Sequence, residues 1–314
     1  MGIGNRASVG AVNERRRVLC DWGSSRLRAF LDFEGVVLDR RDGPGINRLG
    51  ADSPAAALTA VLAAWRSGYS LDVFLCGMAG SRNGLAEVPY VRAPAKMEVW
   101  RQGRLCVRVE DLGAIIAPGI QAENFRDVPD VMRGEETQIF GALTLERQLA
   151  TGNHLFVLPG THSKWVLVRD GAVARLQTHL TGELFDLLCR YSSLVRVGDD
   201  PATDEGGFEA GLRAAVRGGL AASFFATRTA QLIEGRTAGW ARAFLSGLLI
   251  GAEIGGVLDE STFRSEPITL IGDPGLTAFY LRALAARHVS AQALDGERCV
   301  LAGLRVLADA DRSF

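Results

Sequence analysis

Asp21–Val37, DWGSSRLRAFLDFEGVV, and Pro159–Val173, PGTHSKWVLVRDGAV, decide the fold. Each reads as a strand end, a glycine followed by a hydroxyl residue, a second strand, and an acidic residue with glycine that closes a hairpin. The glycine intervals, Gly23 to Gly35 and Gly160 to Gly171, differ by one residue. Two copies of one hairpin predict two α/β lobes, each presenting a phosphate-binding turn to a cleft. A polyphosphate is held by backbone N–H groups, and glycine lets the backbone come close. Gly23, Ser24 and Ser25 make the first turn; Gly160, Thr161 and His162 make the second, with Ser24 and Thr161 adding hydroxyl donors. Coincidence is the competing explanation, since glycine–hydroxyl turns are common. The chain has no G-x-x-x-x-G-K-[ST] and no G-x-G-x-x-G, which argues against P-loop and Rossmann nucleotide sites.

Between the hairpins lies Val131–Leu143, VMRGEETQIFGAL, with two adjacent carboxylates at a helix start. With the helix beginning at Gly134, steps of about 100° put Glu135 near the centre of an apolar stripe formed by Ile139, Ala142, Leu143, Leu145 and Leu149. Glu136 falls toward one flank. An inward carboxylate at a helix start is kept ionised by free N–H groups and the helix dipole, which suits Glu135 as a base. The alternative is charge complementarity at the helix end, about 0.3 to 1 kcal/mol, and it accounts for Glu136 better than for Glu135.

Asp21 ends the first strand just before its turn, where it could organise Mg²⁺ through water beside a nucleotide's phosphates; capping its own turn is the equal alternative. The apolar run Leu71–Cys76 empties into GMAGSRNG, residues 77–84. Such a segment at a strand's carboxyl end is where α/β sheets bind ligands, although a flexible connector has the same composition. It contributes Gly80, Ser81 and Arg82. Arg82 and Arg133 suit bidentate capture of a substrate carboxylate, against the commoner fate of solvated surface.

A chain of 314 residues is comfortable for two cores. The expected division is a disordered lead-in over 1–17, an N-terminal lobe over 18–150 and a C-terminal lobe over 151–314, the last helix packing back on the first lobe. Lys and Arg total 35 against 36 Asp and Glu, so no charge excess exists to hold a nucleic acid or an anionic membrane. The five cysteines and four histidines show no metal-binding spacing. Residues 1–17 lack the apolar core of a secretory signal. No run approaches the roughly 18 apolar residues that span a bilayer; the richest, FLSGLLIGAEIGGVL, is broken by glycines and by Glu253. A soluble, cytoplasmic protein acting on small molecules is expected, with a homodimer left open. Ser53 and Pro54 start an amphipathic helix; further helices fall in 181–194, 208–233 and 239–260, and a last strand, Pro267–Ile271, precedes a helix over Leu276–Arg287.

DWGSSRLRA, GMAGSRNG with EVPYVRAPA, PDVMRGEETQIFGAL, LPGTHSKWV, THLTGELFDLL with SSL, and LSGLLIGAE follow one another from residue 20 to about 255. Together they resemble the 2-dehydro-3-deoxygalactonokinase family, within the sugar kinase, heat-shock protein and actin superfamily. LIGDPGLTAFYLRAL looks like that superfamily's adenosine-binding strand and helix, which implies Gly272 and Gly275 as adenosine contacts. The resemblance implies an α/β fold of the two-lobed actin-like ATPase (ribonuclease H-like) type, with duplicated mixed-sheet domains around a central cleft. It further implies ATP-dependent phosphorylation of the terminal hydroxyl of 2-dehydro-3-deoxy-D-galactonate to the 6-phosphate, with ATP and Mg²⁺. GEETQIFGA is similar to the start of the base-bearing helix in glycerol kinases and matches Glu135 to the general base. A kinase for 2-dehydro-3-deoxygluconate or another sugar acid is the alternative within the class, and a non-catalytic sugar-acid-binding regulator on the same fold is the alternative outside it.

Overall fold

The computed structural model describes residues 14–195, 204–217, 219–259 and 266–309. Strands β1 (Glu14–Trp22), β2 (Arg26–Phe33) and β3 (Val36–Pro44) form consecutive antiparallel hairpins. Helix α1 (Pro54–Arg66) begins as its sequence predicts: the Ser53 hydroxyl accepts the N–H of Ala56, and Pro54 takes the first position. β4 (Tyr69–Gly77) then returns parallel to β1. β5 (Val91–Arg92), α2 (Met97–Gln102), the hairpin β6 (Leu105–Val109) and β7 (Leu112–Ile116), β8 (Ile120–Glu123) and β9 (Pro129–Met132) lead into α3 (Glu135–Leu145). A second set of hairpins follows, β10 (Asn153–Leu158), β11 (Ser163–Arg169) and β12 (Ala172–His179), and then the helices α4 (Thr181–Tyr191), α5 (Glu205–Val216), α6 (Leu220–Ile233) and α7 (Ala238–Leu258). β13 (Ile268–Gly272), α8 (Pro274–Ala285), β14 (Ala291–Asp295) and α9 (Gly296–Asp309) complete the described chain.

The sheet orders show the duplication. One sheet runs β3-β2-β1-β4-β7-β6 and another β12-β11-β10-β13-β14. In each, the first strand of the set is antiparallel to the second and parallel to the strand on its other side. The hairpins paired by sequence therefore occupy equivalent places in two mixed sheets, which is the α/β, actin-like architecture. The central segments Val18–Cys20 of β1 and Leu155–Leu158 of β10 read as unbroken apolar runs because they are covered on both faces; Val18, Leu19, Leu155 and Phe156 are all fully buried.

By contacts the chain groups into one unit of Met1–Pro89, Arg101–Gly119 and Leu304–Phe314, and another of Tyr90–Trp100 and Ile120–Gly303. The sequence expectation was a single cut at residue 150. Hydrogen bonds explain why α3 sides with the second unit. Lys164 Nζ donates to the Val131 carbonyl (3.0 Å) and to Thr178 Oγ1 (2.7 Å), and the Thr178 hydroxyl and N–H both donate to Asp130 (2.7 Å each). β9, which feeds α3, is thus tied to β11 and β12. The first unit has its own core, including Val18, Trp22, Leu58, Leu62, Trp65 and Leu75.

Several expectations change. β1 begins at Glu14 and pairs with β4 from Tyr69 onward, so the lead-in is shorter than 1–17 and its remainder, 1–13, lies outside the described residues. The span 208–233 is two helices, broken before α6 at Gly219 with φ +70°. Pro267–Ile271 is followed by a further parallel strand, β14, whose sequence AQALD has no apolar run because it forms the sheet's edge. α7 is, by length and composition, apolar enough to cross a membrane, against the expectation of no such run; 72% of its most apolar window is buried inside the protein. At the other end of the chain, Arg305 of α9 donates to Asp32 from Nε (3.0 Å) and Nη2 (2.6 Å).

Candidate active site

The acidic pair at the head of α3 is arranged differently from its helical phase. Gly134, at φ +113°, precedes the helix, and it is Glu136 that is fully buried, while Glu135 is half-buried. The Gly134 N–H donates to both Glu136 oxygens (2.9 and 2.8 Å), and the Arg133 N–H donates to Glu135 Oε2 (3.0 Å). Ile139, Ala142, Leu143 and Leu149 of the stripe are buried, but α3 is covered on a second side as well. A Cβ on Gly141 would lie 1.8 Å from the Cys299 carbonyl of α9, and one on Gly303 would lie 2.0 Å from that of Thr137. Leu145, placed on the stripe, is exposed.

Burial pushes the Glu136 carboxyl up to about 8, with the neighbouring Glu135 charge adding to the effect and the backbone N–H groups and Arg133 opposing it. Glu135 is also raised by desolvation, but the Lys164 ammonium, backbone N–H donors and His162 pull it back. Of the two, Glu136 is the more strongly raised and Glu135 is the carboxyl that a solute can reach.

The second turn, between β10 and β11, is braced by α4. A Cβ on Gly182 would stand 2.3 Å from the Gly160 carbonyl, so only glycine fits there. The Glu183 N–H donates to the Thr161 carbonyl (2.9 Å), and His162 Nε2 lies 2.6 Å from Glu183 Oε2. Gly160 itself is different: its Cβ would meet only the His162 carbonyl at 3.9 Å, and a Cβ on Gly23 only the Arg26 carbonyl at 3.5 Å. The protein's own packing does not demand glycine at either turn, which leaves each backbone open to an approaching group. Beside the second turn is a cavity of about 380 Å³ lined by Gly160, Thr181, Phe185, Phe208, Phe279 and Tyr280, among others. Behind it, Glu253 accepts hydrogen bonds from Ser163, Trp165, Thr181 and Tyr280. Sequence reasoning took Glu253 only as an interruption of an apolar run; a lone carboxylate in such a helix was the available signal.

In the first unit, the Gly23–Ser25 turn is held by Ile46 N–H to the Gly23 carbonyl (3.2 Å) and Asn47 N–H to the Ser24 carbonyl (3.0 Å). Ser24 is half-buried and Ser25 exposed. Asp21 pairs across the hairpin with Arg28, and Cys76 Sγ lies 3.8 Å from its other oxygen. No group of three potential metal ligands occurs among the described residues. One carboxylate with an oxygen already engaged by a guanidinium fits Mg²⁺ held through water and nucleotide phosphates, and does not fit a protein cage.

The glycine-rich loop is no flexible connector. Ser81 Oγ donates to the Met78 carbonyl (2.7 Å), Leu85 N–H to Ala79 (2.9 Å) and Val88 N–H to the carbonyl of buried Gly80 (3.0 Å). Arg82 reaches out from it, 85% exposed and 3.6 Å from Glu87. Arg133, in the second unit, lays its guanidinium over the Tyr90 ring at 4.2 Å. Gly272 ends β13 and Gly275 lies in the first turn of α8, whose cap is Asp273, accepting the N–H groups of Gly275 (2.9 Å) and Leu276 (3.2 Å). Neither glycine lines the cavity; the α8 wall starts at Leu276.

A family model described as 2-keto-3-deoxy-galactonokinase matches residues 21–307. A Rhizobium meliloti (strain 1021) protein provisionally named 2-dehydro-3-deoxygalactonokinase is 37% identical over 297 residues, covering 92% of this chain and 95% of that protein. The 2-dehydro-3-deoxygalactonokinase of Escherichia coli (strain K12) is 35% identical over 299 residues, covering 94% and 98%. A crystal structure from Sinorhizobium meliloti, provisionally assigned the same activity, superposes with a TM-score of 0.84 at 35% identity, covering 96% of this chain and all of that one.

Proposed function

The chain belongs to the 2-keto-3-deoxy-galactonokinase family, and on that premise we propose that it transfers the γ-phosphoryl group of ATP to the terminal hydroxyl of 2-dehydro-3-deoxy-D-galactonate, giving the 6-phosphate and ADP. The observation that carries the chemistry is the division of the acidic pair, with a half-buried, reachable Glu135 beside a fully buried Glu136. Glu135 accepts the hydroxyl proton, the freed oxygen bonds to the γ-phosphorus, and the bridging P–O bond breaks with its electrons passing to ADP. Backbone N–H groups and hydroxyls of Gly160, Thr161 and His162, and of Gly23, Ser24 and Ser25, hold phosphate oxygens. The cavity beside Gly160 takes the nucleoside, and Gly272 and Gly275 stand outside its lining as adenosine contacts at the start of α8. Asp21 would hold Mg²⁺ through water, and the ion would supply charge neutralisation for the phosphates. Gly80, Ser81, Arg82 and Arg133 serve the sugar acid, the two guanidinium groups offsetting its carboxylate. Such an enzyme, fed by metabolic ATP, works in the cytoplasm.

ADP release from the purified protein, coupled to a dehydrogenase readout, tests the activity across sugar acids. The expected preference is for 2-dehydro-3-deoxy-D-galactonate over 2-dehydro-3-deoxygluconate. Equal turnover of the two epimers, or no ADP with either, would remove the substrate assignment.

A further inference from the structure

The carboxylate of Glu253 is only 4% exposed and sits in the middle of an apolar helix. Its Oε1 accepts from Ser163 Oγ and Trp165 Nε1 (2.7 Å each), and its Oε2 from the Tyr280 hydroxyl (2.8 Å) and the Thr181 hydroxyl. Four neutral donors thus converge on its two oxygens, two on each. Desolvating a carboxylate is costly, and packing alone would be met by a leucine, so what the acid adds is direction.

The donors come from three places. Ser163 follows the Gly160–His162 turn directly in the chain. Thr181 opens α4, whose Gly182 and Glu183 touch the Gly160 and Thr161 carbonyls. Tyr280 is on α8 and, with Thr181, lines the cavity. Each end of a nucleotide would meet a surface fastened to the same two oxygens.

We propose that Glu253 is a positioning residue for the nucleotide, setting the turn that receives its phosphates against the cavity that receives its nucleoside. This rests on the phosphate role of the Gly160–Thr161 turn proposed above. Glu253 touches no reacting atom in this scheme and acts through Ser163, Thr181 and Tyr280.

Replacing the carboxylate itself would set donors against an amide and risks misfolding, so the donors are changed instead. S163A and T181V each delete one bond, and T181S keeps its hydroxyl. Losing a buried hydrogen bond and leaving its partner unsatisfied is costly enough that S163A and T181V should each raise the KM for ATP about tenfold, with the KM for the sugar acid and kcat nearly unchanged and T181S close to the parent. Melting temperatures measured alongside separate the alternatives: a fall in Tm with the KM for ATP unmoved would make Glu253 a purely structural anchor and overturn the proposal. T161A tells the two readings apart. If T161A weakens ATP while S163A and T181V do not, the Glu253 assignment fails by itself; if T161A leaves the KM for ATP unchanged, the phosphate turn fails and takes this proposal with it.

Discussion

Glu135 and Glu136 are adjacent in sequence, and what separates them is whether a solute can touch them. General base catalysis contributes about 10² to 10⁴ in rate, so E135Q should lower kcat by that factor and leave the KM for ATP in place, as measured by ADP release. E136Q keeps an oxygen to accept the Gly134 N–H and should retain most activity. The same pair predicts a pH effect on stability. Because the Glu136 carboxyl is raised from 4.5 to about 8, the native state holds its proton more tightly than the unfolded chain does. That contribution is present in full below about 4.5 and is lost as pH rises toward about 8. Urea midpoints across this window should show a decline that E136Q flattens; an identical slope in the variant would contradict the burial argument. The sequence revealed both acids but assigned the inward position to the wrong one, because the phase of one stripe says nothing about a helix packed on the other side.

Elements whose signals are local were legible: the capped start of α1, the hairpins around Gly23 and Gly160, and the apolar strands β4 and β10. β14 was not, since an edge strand needs no apolar run. Nor was the crossing of α3 with α9, where backbones meet at Gly141 and Gly303. Overpacking costs typically 1 to 3 kcal/mol, so G141A should destabilise by about that much in urea unfolding, because the opposing atom is a backbone carbonyl that has no rotamer to yield. The bracing of the second turn by α4 has a sharper signature. In G182A the new methyl group would press on the Gly160 carbonyl, and ATP binding should weaken more than binding of the sugar acid; equal effects on both ligands would argue that α4 does not support the turn.

At the level of the whole molecule, the chain's last described helix closes on its first sheet. Asp32 is 1% exposed and Arg305 is its ion-pair partner. Removing one partner of a buried pair costs about 3 to 5 kcal/mol, so R305M should lower Tm markedly, by calorimetry, although it lies in neither glycine–hydroxyl turn. Binding to the native state also stabilises it: at about 100 times Kd, MgATP should add about 2.7 kcal/mol, read as a rise in Tm that T161A diminishes. The sequence alone determined the duplicated hairpins with their glycine–hydroxyl turns, the acidic pair and the family, because each is written in residues close together in the chain. Only the tertiary structure decided which acid is reachable, that α3 joins the second unit, and that Glu253 gathers the wall of a cavity. Those facts depend on partners such as Ser163 and Tyr280, 90 and 27 residues away from Glu253. Burial and hydrogen-bond satisfaction are properties of chain segments brought together by folding, and no local pattern encodes them.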